Sequence, residues 1–226
     1  MSVLSFADAG EAADVAAFLG RLLHYDKAAA VRLQAQAGGQ ALAVFGRPPS
    51  FEVLAVRTAR LLKPYENGID DVLDVTVSAG QLLDSIDAGG STATVPGAVT
   101  GPPWAGVLPP RGGWERVLGF PGAEALRGLV QAAVGEFRAR VDELAPQART
   151  RAGLDALGRE IWSREIGGSG VPVRVAHAAA SLGFLRGERV DLLVAGAWVR
   201  LRTPYGAVVV RRGAAGGLGG LSVGPA

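Results

Sequence analysis

The chain of 226 residues contains no cysteine, which excludes disulfides, thiolate metal sites and thiol nucleophiles together. Its two histidines, His24 and His177, are too few and too far apart for an imidazole-rich zinc site. Lysine is nearly missing too: Lys27 and Lys63 leave 21 of the 23 basic residues as arginine. With abundant alanine and glycine, this is the bias of a high-GC bacterial composition, and arginine counts are discounted before they are read as phosphate contacts. Apolar runs such as Leu192–Val199 are far short of the roughly 20 residues that span a bilayer. Residues 1–20 hold Asp8, Glu11 and Asp14 and no base, the reverse of a secretory leader. A soluble, cytoplasmic protein with no membrane partner is expected.

What is present is a globular composition, 49% apolar and 19% charged, which rules out disorder over most of the length. The 33 glycines follow no period. Residues 88–110 carry no charge, and the stretch to Gly113 holds five prolines and seven glycines. It reads as a linker or long loop between an α+β lobe, 1–87, and a second lobe, 114–212. The glycine-rich end, 213–226, reads as a flexible tail. Residues 1–110 carry 7 basic and 11 acidic residues, and residues 111–226 carry 16 and 10, so an acidic half precedes a basic one.

In the first lobe Val3–Phe6 reads as a strand, and Asp8 with Glu11 as a helix cap. Val15, Phe18, Leu19, Leu22 and Leu23 then recur at helical spacing. Val31, Leu33 and Ala35 alternate with polar residues, Gly38-Gly39 turns the chain, and Leu42–Phe45 returns. Phe51–Thr58 and Val72–Val77 read as further strands, and Ser78 with Gln81 caps a short helix. The order is β-α-β-β-β-β-α, an antiparallel sheet with helices on one face. It resembles one repeat of a sliding-clamp fold, with Val72–Ile86 as the start of a second; the resemblance spans Val3 to Ile86, has no motif and carries no function over.

The second lobe reads as helices over Gly122–Leu144, after Thr150, and from Pro172 to Leu182. A hairpin follows, Leu192–Arg202 and Ala207–Arg211, around the turn Thr203-Pro204-Tyr205-Gly206. The fold class is α+β, ending in three helices and a hairpin, the element order of a winged-helix domain. Its third helix, however, offers only Arg174, His177 and Ser181 among small apolar residues, which suits packing better than base reading.

No convergent catalytic set emerges, and neither a cofactor nor a metal is implied. Gly167-Gly168-Ser169-Gly170 follows a helix and lacks the Lys-Ser/Thr of a phosphate loop. Glu66, Asp70, Asp71 and Asp74 lack the spacing of a calcium loop. On the hairpin, Trp198, Arg200 and Arg202 share one strand face with Arg211 nearby, a pattern able to hold phosphate and stack on a base. Trp104 between Pro102, Pro103 and Ala105 presents an indole that a free linker would waste. The leading expectation is a non-enzymatic binding or regulatory protein acting through an unidentified protein partner or self-association. Nucleic-acid binding by Arg200, Arg202, Arg211 and Trp198 is the alternative, and an enzyme using His24 with Asp26 is the third.

Overall fold

The computed structural model describes residues 2–49, 51–62, 72–87 and 89–212. Strand β1 (Val3–Ser5) leads to helix α1 (Ala9–Tyr25), capped by Asp8, whose carboxylate accepts from the Glu11 amide at 2.9 Å. The apolar stripe of α1 buries Val15, Phe18, Leu19 and Leu22. Strands β2 (Ala30–Ala35), β3 (Ala41–Gly46), β4 (Leu54–Arg60) and β5 (Leu73–Ser78) follow. In β2 the alternating sequence buries Val31, Leu33 and Ala35 and leaves Arg32 and Gln34 on the other face. Helix α2 (Ala79–Asp84) is capped by the Ser78 hydroxyl, as its sequence predicts. Strand β4 begins three residues later than its apolar pattern suggests, because Glu52 takes φ 53° and interrupts the extended backbone.

The uncharged stretch contains strand β7 (Thr92–Thr94), which pairs with β1 and with the short β6 (Ile86–Asp87) in a three-stranded antiparallel sheet. It then crosses the outer face of the larger sheet. Val99 donates to the Thr76 carbonyl at 2.9 Å, and the Arg32 guanidinium donates to the Ala105 carbonyl. Trp104, Leu108 and Trp114 pack there against Phe45, Leu54, Val56, Ala207 and Val209.

Beyond β8 (Glu115–Val117) come α3 (Ala123–Glu143), α4 (Arg151–Trp162) and α5 (Val173–Ser181), close to the three predicted helices. The segment expected as one strand, Leu192–Arg202, is two: β9 (Asp191–Ala195) and β10 (Trp198–Thr203). Gly196, at φ 54°, begins the two-residue turn that separates them, and the hairpin becomes three strands with β11 (Gly206–Arg211).

These strands join those of the first half. Leu54, Ala55 and Val56 of β4 pair with Val209, Val208 and Ala207 of β11. One antiparallel sheet of eight strands results, ordered β5-β2-β3-β4-β11-β10-β9-β8. The fold is α+β. Helices α1 and α5 cover one face, with Phe18 and Phe184 meeting at 5.7 Å between ring centroids. The charge asymmetry appears across this seam: Asp14 pairs with Arg186 at 3.2 Å and Glu52 with Arg174 at 4.0 Å.

Candidate functional site

Because side chains alternate along a strand, Trp198, Arg200 and Arg202 project together from the outer face of β10, while Val199 and Leu201 are buried under the helices. Register sets Arg211 beside Trp198, Val209 beside Arg200, and Ala207 beside Arg202. At one end of this row Trp198 and Arg211 meet Trp104, which the Pro-rich segment delivers on a single 3-10 turn (Pro103–Gly106). They line a shallow groove of about 320 Å³. Its apolar floor includes Val53, Leu54 and Val209, and its lip includes Val107, which is 54% exposed. Its charges are Arg47, Arg174 and Arg211 against the single carboxylate Glu52. The Arg211 guanidinium lies 5.6 Å from the Trp198 ring centroid. The Arg174 Nε is buried without a hydrogen-bond partner among the described residues.

A second hollow adjoins the first, with Trp104 and Arg47 in common, and Pro102 lines it. Pro103 is exposed beside them. Residues singled out separately, Trp104 for protein contact and Trp198 with Arg211 for nucleic acid, therefore share one groove. Arg200 and Arg202 line a different cavity further along the sheet. No pattern around Arg47 selects it, and Arg174 lies on a helix whose sequence suits packing; both reach the groove because β4 and β11 join.

The remaining candidates are placed elsewhere. His24 is exposed at the end of α1, its ring edge-on to Tyr25 at 5.3 Å. The Asp26 carboxylate accepts from the Ala28 amide at 2.9 Å, a turn contact rather than a hold on His24. His177 stacks on Trp162 at 4.3 Å and meets Phe51 edge-on at 5.1 Å, and burial pushes its pKa below the ordinary imidazole value. Asp74 is held in a bidentate pair by Arg32 at 2.7 and 3.0 Å, which lowers its carboxyl pKa; Glu66, Asp70 and Asp71, and the tail 213–226, lie outside the described residues. Among the described residues no cluster of three acidic or histidine side chains is disposed to hold a metal. No helix among them is long and apolar enough to cross a membrane.

Residues 1–106 match the model of a domain of unknown function, DUF8010, and residues 109–215 match that of a second, DUF8185. The two matches meet in the segment that lies across the sheet. No curated protein matches the chain. Among solved structures it is similar to the DNA polymerase sliding clamp from Pseudomonas aeruginosa, at 13% identity and a TM-score of 0.46, over 96% of this chain and 66% of that one. The chain thus spans slightly under two thirds of that clamp's length.

Proposed function

We propose that this chain is a binding or regulatory protein that takes up an acidic, apolar-rich segment of a partner protein in the groove between Trp104 and Trp198. The observation that carries this reading is the composition of the groove: two half-buried indoles and an aliphatic floor, ringed by three arginines and one carboxylate. Tryptophan and arginine are the side chains that most often dominate the energy of protein interfaces, since both cover large apolar area and keep a polar handle. The excess of guanidinium selects carboxylates on the partner, because a basic segment would meet like charge.

Selection of displayed random peptides on the purified protein tests it. The selected peptides are expected to combine Asp or Glu with Leu, Phe or Trp, and an Arg211→Glu, Arg47→Glu variant is expected to lose that acidic preference. Selection that yields no consensus, or the same consensus on the charge-reversed variant, counts against the groove.

A further inference from the structure

The seam between β4 and β11 is short. Pairing ends at Val56 and Ala207, and beyond them the β10–β11 turn leaves β4. A cavity of about 170 Å³ lies at this divergence, lined among others by Arg57, Thr58, Arg200, Arg202, Thr203 and Pro204, with no carboxylate in its wall. A neighbouring cavity of about 340 Å³ shares Arg202, Thr203 and Pro204 and adds Arg189 and Asp191. Arg189, Arg200 and Arg202 therefore face a single carboxylate, Asp191, across the two, while Arg57 in the first wall is paired from the helix side.

The in-chain partners leave that excess in place. Arg57, with its side chain 7% exposed, is matched from the helix side by Glu11 at 3.2 Å and Asp14 at 3.0 Å. Asp191, 4% exposed, accepts from Arg202 at 2.9 Å and lies 2.9 Å from Arg116 and 3.6 Å from Arg189. Arg200 makes no ion pair among the described residues; its guanidinium lies 4.1 Å over the Trp114 ring. The buried Nε atoms of both Arg57 and Arg200 have no hydrogen-bond acceptor there. A guanidinium does not relieve such a position by losing its proton at neutral pH. A half-buried cation without a counter-charge is costly, and an oxyanion in the cavity answers the exposed part of the Arg200 guanidinium.

We propose that this cavity binds a phosphoryl group, with Arg200 as its principal charge partner, Arg202 as the second, and the Thr58 hydroxyl as a neutral donor. Arg200 has no carboxylate partner among the described residues, and Arg202 shares the single carboxylate of Asp191 with Arg116 and Arg189, so the local excess is more than one positive charge and a dianionic phosphoryl group suits it better than a carboxylate. This site is separate from the Trp104 groove and does not depend on it.

Inorganic phosphate is the first probe, titrated against potassium chloride at matched ionic strength, with melting temperature and tryptophan fluorescence as readouts, since Trp114 lies under Arg200. Phosphate is expected to raise the melting temperature saturably and to change the fluorescence. Arg200→Gln is expected to weaken phosphate binding at least about tenfold, the scale of a lost charged hydrogen bond. Thr58→Val, on an exposed position of β4, is a milder variant expected to weaken it less. Phenyl phosphate and a short single-stranded oligonucleotide then identify the source: competition by the first alone points to a phosphomonoester, and by the second to a phosphodiester backbone. No saturable effect of phosphate beyond chloride, or an equal effect in folded Arg200→Gln, overturns the proposal.

Discussion

His177 sits between the Trp162 ring and the edge of Phe51, and burial alone lowers its pKa. The sign of the consequence is definite. A histidine that resists protonation when folded binds more protons when unfolded, so its contribution is complete above the unfolded value near 6.5 and is lost as pH falls from there through the folded value. The melting temperature is therefore expected to fall between about pH 7 and pH 5, and His177→Gln is expected to flatten that slope relative to the wild type. Gly206 gives a second test at this scale. Its φ is 152°, and a Cβ there would come within 2.5 Å of the Phe184 ring, so Gly206→Ala is expected to cost on the order of 1–3 kcal/mol in denaturant unfolding. Some of this is legible in the sequence: the caps at Asp8 and Ser78, and an indole at Trp104 in need of a surface. The buried carboxylate of Asp191 was not, because its three arginine neighbours lie on other strands or in the preceding loop.

At the scale of elements, α3 changes character along its length. Its first turns bury Ala123, Leu126 and Val130, whereas the second half is only partly covered and is joined to α4 by charge. Arg140 holds Glu160 at 2.6 and 2.9 Å, and Arg164 holds Glu136 at 2.6 and 2.8 Å. The two arginines push the Glu160 carboxyl down to about 2, from an ordinary value of 4.5. These groups are exposed, and exposed pairs contribute little and are screened by salt. Replacing Glu136 and Glu160 by Gln is expected to speed amide exchange in residues 136–143 while leaving the global melting temperature nearly unchanged. A large drop in that temperature would show that the charged junction holds more than the local end of α3. Helical periodicity locates α3 and α4 because each carries its own apolar stripe, whereas α5 is marked by the glycines before it and by Pro172 at its start. The division of Leu192–Arg202 into two strands was hidden because Ala195, Gly196 and Ala197 continue an apolar run, and only the backbone angle of Gly196 reveals the turn.

For the molecule as a whole, the pairing of β4 with β11 makes the two halves one sheet, supported by Arg57 reaching across to the Pro204 carbonyl at 3.3 Å. No periodicity predicts this contact: each strand has an apolar face that satisfies its own half, and the partner is far away in sequence. The same join creates the groove, since Trp104, Arg47 and Trp198 come from three distant segments. Calorimetry is expected to show a single cooperative transition, because opening either half exposes the face of β4 or β11; two resolved transitions would mean that the seam is weak. Arg57→Ala is expected to lower stability by on the order of 2 kcal/mol, less than a fully buried pair would lose, since Glu11 keeps Arg60 as a partner at 2.8 Å.

An isotherm of the most enriched acidic peptide against wild-type and Trp104→Ala protein tests most directly whether the groove at this seam is a binding surface. Removal of the half-buried indole from the contact is expected to weaken affinity about tenfold or more; because Trp104 also packs on the sheet, the variant is expected to melt lower, and the two proteins are compared well below both transitions. Equal affinity for the two proteins would contradict the claim.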